Sequence, residues 1–283
     1  MGWQLQSVPE LTDEQFERWC VLLESRIGMQ VAPHQRSFLQ IQISRRVREL
    51  GFAGFDEYFD YIQKGIPGLM EWRQLIDRLV VRETSFFREP DSLAYVADEL
   101  RKRINSRSLE GGFDVWSLGC ATGEEPYSLA MELNNCFEAE GLASQFSVTA
   151  SDVSQQALQQ AKEAIYSSRK LEKVSKDNLN RYFQMAEPGF WQVDPALQRH
   201  ICFTAINLLD LAKVPKVPMD IIYCQNVLIY FRRWRRREIL DELVTRLKPG
   251  GILIIGMGEL VDWTSSLVTR VADNRVQAYL RCG

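Results

Sequence analysis

From Phe113 onward, short apolar runs alternate with helix-like stretches. That alternation restricts the chain to a mostly parallel sheet wrapped by helices. The runs are Phe113–Leu118, Phe146–Ser151, Ile201–Ile206, Met219–Cys224, Gly251–Gly256 and a closing Val276–Leu280. Helices are predicted to open at Pro126, to cover Ser154–Ala164 and to cover about Arg235–Leu247, with Lys248-Pro249-Gly250 turning into the next strand. The stretch 166–200 breaks the alternation. It carries Tyr182, Phe183, Phe190 and Trp191, aromatics that need burial, so it reads as an inserted subdomain and not a linker.

Before residue 110 there is no strand signal, and helical spacing takes over. Leu11-Thr12-Asp13-Glu14 offers an N-cap ahead of Phe16, Trp19, Val21, Leu22 and Leu23. A second helix is expected from about Pro33 to Leu50, with Phe38, Leu39, Ile41, Ile43 and Val47 as its apolar positions and Gly51 as its stop. A third covers Phe55–Gln63, ending near Gly65 and Pro67, and a fourth covers Leu69–Val81. The expected organisation is an all-α domain over 1–83 and an α/β domain over 84–283, with the insertion around 166–200.

Composition narrows the function. The net charge is -3, so the basic excess of a general nucleic-acid binder is absent. The six cysteines form no CxxC pair and only His34 and His200 are present, so no metal site is expected. Most cysteines lie in apolar segments and read as buried thiols of a reducing cytoplasm. The start, MGWQLQSVPELTDEQF, lacks a leader's basic and apolar regions, and Met1-Gly2 is not followed by an acylation pattern. No apolar run is long enough to cross a bilayer.

The most informative segment is Trp116-Ser-Leu-Gly-Cys-Ala-Thr-Gly-Glu-Glu-Pro-Tyr-Ser128, a strand, a small-residue turn and a helix start. Ligands of parallel sheets bind at the carboxyl ends of the strands. Gly119 and Gly123 let backbone approach a ligand, but the pattern is neither the dinucleotide fingerprint nor a phosphate loop with its lysine. Glu124 and Glu125 repel phosphate at the helix start and suit a cationic sulfonium or amino group. They also read as simple helix-start acids. Asp152 ends the next run and suits ribose hydroxyls, or caps the helix that follows. Asn207-Leu208 and Gln225-Asn226 end two further runs. Each is a turn residue by propensity; together they outline an adenosine-sized polar rim.

Thr84-Ser-Phe-Phe-Arg88, the Trp116–Ser128 segment, Ala150-Ser-Asp152, Asn207-Leu-Leu209 and Cys224-Gln-Asn-Val-Leu-Ile-Tyr-Phe231 together resemble the CheR chemoreceptor glutamate methyltransferases, over nearly the whole chain. The resemblance implies an all-α N-terminal domain, a Rossmann-like methyltransferase domain with a small inserted β subdomain, and S-adenosylmethionine as methyl donor. It implies glutamate substrates on the cytoplasmic helical bundle of a chemoreceptor. On the matching positions, Thr84 and Arg88 approach the methionine end of the cofactor, Arg88 pairing with its carboxylate. Glu124 lies by the amino group and Asp152 by the ribose. Asn207, Leu208, Gln225 and Asn226 surround adenine and ribose, and Tyr230 lies beside the transferring methyl. The chain departs from the family at Arg82, where Asn is usual, at Gln225, where Arg is usual, and at Met257-Gly-Glu-Leu260, where Ser-Glu-Asn is usual. Met185-Ala-Glu-Pro-Gly-Phe-Trp lacks the Gly-rich loop with which some members hold a receptor tail, so no dependence on such a tail is expected.

A glutamate is ionised near neutral pH and needs no general base, and the motifs contain no histidine. Alignment and exclusion of water are what the protein must supply, and Tyr230 is the expected positioner, with a core aromatic as the other reading. Arg45, Arg46 and Arg48 form the candidate grip on an acidic receptor helix, or a solvated face. Arg101-Lys102-Arg103 and the run Arg232, Arg233, Arg235, Arg236 and Arg237 are weaker candidates, with Trp234 read as packing. Two other functions stay compatible: a methyltransferase on a small molecule or RNA, and a non-catalytic cofactor sensor. A cytoplasmic monomer with no nucleic-acid partner and no membrane insertion is expected.

Overall fold

The computed structural model describes residues 10–109, 111–260 and 262–283. The reading of a leaderless start, with its Met1-Gly2 pair, falls largely on 1–9, outside the described residues. The chain forms two compact units, Met1–Val81 and Arg82–Gly283.

The first unit is helical. α1 (Asp13–Ile27) begins with a capping box in which the Thr12 side chain accepts from the Gln15 backbone and the Gln15 side chain accepts in return. It is followed by α2 (Arg36–Leu50), α3 (Phe55–Tyr61) and α4 (Gly65–Leu79). Trp19, Leu23, Leu39, Ile43, Val47, Tyr58 and Leu75 make its core. Two expectations need correction. Val21, Phe38 and Ile41 are exposed, because the buried stripe follows Trp19, Leu22, Leu23 and Ile27 on α1 and Leu39, Ile43 and Val47 on α2 and leaves these on the other face. Gly65 and Pro67 open α4 instead of ending α3, since a proline in the first turn lacks only an N–H that has no helical partner anyway.

The second unit starts with α5 (Pro90–Asn105), then runs β1 (Phe113–Leu118), α6 (Glu124–Ala139), β2 (Phe146–Asp152), α7 (Gln155–Glu163), β3 (Ile165–Ser167), α8 (Lys176–Tyr182), β4 (Phe183–Glu187), β5 (Phe190–Val193), α9 (Pro195–Gln198), β6 (Ile201–Ala205), β7 (Met219–Cys224), α10 (Arg233–Val244), β8 (Leu247–Ile255), β9 (Val268–Arg270) and β10 (Gln277–Arg281). The main sheet has seven strands in the order β6-β2-β1-β7-β8-β10-β9, parallel through β8 and antiparallel beyond it. Both faces are buried, as parallel sheets require. Val115, Ile221, Ile252 and Ile254 point into one core layer, and Trp116, Ile222, Leu253 and Ile255 into the other.

The chain moves from β1 to β2 on one side and later to β7 on the other. The strand order therefore reverses at β1, and the reversal opens a crevice at the strand carboxyl ends. The insertion is a separate antiparallel sheet, β3-β5-β4. Its burial is less complete than its aromatics suggest. Tyr182 and Phe183 are buried, but Phe190 is exposed and Trp191 only half-buried, because three short strands have one covered face.

Smaller corrections follow from local geometry. α6 opens at Glu124, with Pro126 already inside its first turn. Lys248-Pro249-Gly250 lies within β8, where the pairing with β7 shifts register. Cys120, Cys136 and Cys224 are buried, whereas Cys202 and Cys282 are exposed and Cys20 is half-buried. Among the described residues no helix is long and apolar enough to cross a membrane.

Candidate active site

The turn after β1 is fitted against its neighbour. The Gly119 and Cys120 amides both donate to the Ser151 carbonyl, at 2.7 and 3.0 Å. Gly119 has φ +68°, and a Cβ there would stand 2.2 Å from a methyl of Val227, so only glycine lets the ends of β1 and β7 close up. Asp152, at the end of β2, accepts the Ala121 amide at 2.9 Å through one oxygen and the Ser154 amide at 2.8 Å through the other. A carboxylate oxygen can accept more than one hydrogen bond, which suits an acid at this strand end to the hydroxyls of a ribose.

The two acids that open α6 have different environments. Glu124 is wholly buried, and both its oxygens are engaged, one by Lys170 and the other by the Thr122 hydroxyl at 2.6 Å. Its expected place beside a cofactor amino group is corrected on this ground. Glu125 is half-buried and accepts the Ser117 hydroxyl at 2.7 Å. Burial pushes its carboxyl up to about 8; Ser117 and Arg88 oppose the rise, and Glu259 and Glu89 add to it. The acid with capacity for an ammonium group is thus Glu125. The sequence marks it with the same helix-start signal as Glu124.

The Thr84–Arg88 segment is anchored by Phe86, which is fully buried with its ring edge-on to Tyr166 at 5.0 Å. Phe87 has φ +51°, and its amide donates to the Ser128 hydroxyl at 3.0 Å. Thr84 is half-buried. Arg88 is exposed, donates to the Glu83 carbonyl at 3.0 Å, and lies near enough to favour the ionised forms of both Glu125 and Tyr230. Arg82 instead bonds Gln156 on α7 at 3.0 Å.

At the β6 end, Asn207 accepts the Leu209 amide at 3.1 Å, and the Leu208–Lys213 turn begins there, with Leu208 half-buried. At the β7 end, Asn226 is half-buried with φ +60° and donates to Glu89 at 3.4 Å. Gln225 is buried and donates to Ser92 at 2.9 Å, which ties the end of β7 to α5. Tyr230 ends the 3-10 turn Leu228–Tyr230 and is half-buried; burial raises its hydroxyl pKa and Arg88 lowers it. The strand ends thus gather Gly119, Glu125, Asp152 and Asn226, with Arg88 near both Glu125 and Tyr230.

The basic clusters divide. In the first unit, Arg46 is largely buried and bonds Glu71 at 2.7 Å and Glu49, while Tyr58 donates to Glu71 at 2.6 Å. Arg46 is therefore a core group and not a grip on substrate. Arg45 and Arg48 are exposed and, among the described residues, have no ion-pair partner. Arg101, Lys102 and Arg103 pair with Asp98, Glu99 and Asp220. On α10, Arg233 and Arg237 pair with Asp262 and Arg235 with Glu238. Trp234 is exposed beneath the Arg235 guanidinium, so it does not serve as packing. Arg236 donates to three carbonyls, Phe231 at 2.9 Å, Glu259 at 2.6 Å and Ile229 at 3.2 Å.

A mostly parallel sheet reversing at β1, with a ribose-suited acid after β2 and an acid and an arginine suited to an amino acid's two ends, defines a nucleoside-binding methyltransferase class. Comparison with known families agrees. Residues 14–80 match the CheR methyltransferase all-alpha domain, and residues 82–276 match the CheR methyltransferase SAM binding domain. The chain belongs to the CheR methyltransferase family, and S-adenosylmethionine is its methyl donor. It is 34% identical to the chemotaxis protein methyltransferase of Salmonella typhimurium over 88% of this chain and 84% of that protein. The Escherichia coli chemotaxis protein methyltransferase is also 34% identical, over 88% of this chain and 85% of that protein. A probable biofilm formation methyltransferase of Pseudomonas aeruginosa, WspC, is 33% identical over 87% of this chain and 56% of its own length.

Proposed function

We propose that the protein methylates glutamate side chains on the cytoplasmic helical bundle of a chemoreceptor, as a cytoplasmic monomer acting in chemotaxis-type signalling. The observation that carries this is the convergence of Asp152, Glu125, Arg88 and Tyr230 at the carboxyl ends of one parallel sheet, in a chain of the CheR family.

The cofactor, when bound, supplies an electrophilic methyl carbon. Asp152 accepts the ribose hydroxyls. Arg88 takes the methionine carboxylate, Glu125 takes the ammonium, and Thr84 stands beside them. Asn207, Leu208 and Asn226 flank the adenine and ribose. Tyr230 orients the incoming carboxylate oxygen. That oxygen is already ionised at neutral pH, so no residue has to remove a proton. The protein's contribution is alignment and exclusion of water.

The all-α unit is the docking unit in this reading. Phe38, Ile41, Arg45 and Arg48 recur on α2 at three- and four-residue spacing and are all exposed. Such a stripe suits a receptor helix that is acidic along one face and apolar beside it. The β4–β5 hairpin has only Pro188-Gly189 between its last paired residues, Glu187 and Phe190, which leaves no long loop to clasp a receptor tail.

The test is transfer of labelled methyl groups to a panel of receptor cytoplasmic fragments, with mapping of the modified peptides. Base-labile label on glutamate is the expected result. Base-stable label, or label found only on RNA or metabolites, overturns the reading. Tight calorimetric binding of a receptor tail pentapeptide overturns the tail-independent part alone.

A further inference from the structure

The insertion reaches into the cofactor turn from the side. Tyr166, on β3, donates its hydroxyl to the Thr122 carbonyl at 2.7 Å. That same hydroxyl oxygen lies 2.8 Å from where a Cβ on Gly123 would sit, so turn and insertion are in full contact. Lys170, four residues further on, donates to the Thr122 hydroxyl at 3.2 Å and forms an ion pair with Glu124. Lys173 reaches Ser85 at 3.3 Å, and Tyr166 and Phe183 both pack edge-on against Phe86. Both segments assigned to the methionine end of the cofactor, 84–88 and 119–125, therefore rest on the insertion.

The charge balance of that contact depends on one residue. Glu124 has no solvent exposure, and Lys170 is the only cation bonded to it among the described residues. A buried carboxylate stripped of its partner must either take up a proton or pull its backbone toward water. Either change disturbs the first turn of α6, where Glu125 follows directly.

We propose that Lys170 is a positioning residue for the cofactor site. By neutralising Glu124 it holds Thr122, Gly123 and the start of α6 in place, which makes affinity for the cofactor depend on the inserted subdomain. Glu124 is then a counter-ion, not a ligand of the cofactor. The inference rests on the reading that this crevice takes S-adenosylmethionine.

Calorimetry with S-adenosylhomocysteine on the full chain tests it. Lys170→Met weakens binding by about tenfold or more, within the range of ordinary site-to-site coupling. Lys170→Arg keeps the charge and stays near wild type. Glu124→Gln binds within about threefold of wild type, and in the Lys170→Met background it restores affinity, because no lone buried charge remains. Where Lys170→Met alone does not fold, the double variant carries the test by folding and binding near wild type. Wild-type affinity in Lys170→Met overturns the inference. So does a double variant no better than the single one, or a Glu124→Gln variant that loses as much as Lys170→Met, the pattern of a direct ligand. A wild-type protein that binds no S-adenosylhomocysteine overturns the cofactor reading itself.

Discussion

Two arginine-rich helices, α2 and α10, read alike along the chain and differ in the fold. On α10 the arginines are already engaged: Asp262 holds Arg233 and Arg237, Glu238 holds Arg235, and Arg236 is turned onto three backbone carbonyls. On α2 one arginine is drawn inside and two remain. Arg46 sits with Glu71 and Tyr58, while Arg45 and Arg48 stand in solvent beside exposed Phe38 and Ile41. The number of like charges in a run therefore says little about its capacity to bind an acidic partner. What decides it is how many of those charges the fold has already matched.

The sharpest test of that difference is Arg46→Met. The Arg46 and Glu71 side chains are 12% and 6% exposed, so removing one partner strands the other. Unfolding by denaturant should show a loss of about 3 kcal/mol or more. Arg45→Met and Arg48→Met should each stay within about 0.5 kcal/mol of wild type. Equal effects at all three positions would erase the distinction between the matched and the unmatched arginines of α2.

Arg236 comes next, because the carbonyls it holds bracket Tyr230. It bonds Ile229 and Phe231 on either side of that residue and ties both to Glu259 beyond β8. Arg236→Ala should lower kcat about thirtyfold through misplacement of the Tyr230 turn, with affinity for S-adenosylhomocysteine little changed. Arg236→Gln, which keeps a donor, should recover part of the loss. A fall in cofactor affinity with kcat preserved would mean that the clamp serves another part of the site.

A smaller effect belongs to the exposed pair. Arg45→Glu/Arg48→Glu should raise KM for the receptor fragment about tenfold at low salt, and the difference should shrink as salt is added. Cofactor affinity should be untouched. The matching change on α10, Arg233→Glu/Arg237→Glu, should move KM by less than about twofold, since those side chains are already held by Asp262. A larger effect from α10 than from α2 would reverse the assignment of the docking face.

Much of this was legible in the chain because apolar runs and their punctuation are local signals. The strand ends at Gly119, Asp152, Asn207 and Asn226 stand where the runs stop. α5 carries such signals too, with Pro90 at its start and Leu93, Val96, Ala97 and Leu100 spaced along it. What was not legible depended on distant partners. Arg46 looks like any surface arginine until α4 brings Glu71 to it. Glu124 and Glu125 are neighbours about 100° apart around a helix, and the roles they take depend on Lys170, 46 positions away from Glu124 in the chain.

That pair of acids repeats the contrast of the two arginine runs with the sign of the charge reversed. Glu125 has its carboxyl pushed up to about 8 by burial, with Arg88 pulling it down and Glu259 and Glu89 pushing it further up. In the free protein the raised value favours the protonated form. An ammonium group bound beside it favours the ionised form, so the complex holds fewer protons than the free protein. Linkage then requires affinity to rise with pH until Glu125 is ionised in both states. Binding of S-adenosylhomocysteine should tighten about fivefold from pH 7 to pH 8, with proton release seen as a dependence of the calorimetric heat on buffer. For folding the sign is opposite. A carboxyl raised above its unfolded value favours the folded state while protonated, so its contribution fades as pH climbs from the unfolded value toward about 8. Glu125→Gln should flatten the binding profile and lower affinity, whereas Glu124→Gln should leave the profile sloped. A flat profile in the wild type would mean that the ammonium lies elsewhere, and the two acids would then be matched in the same sense.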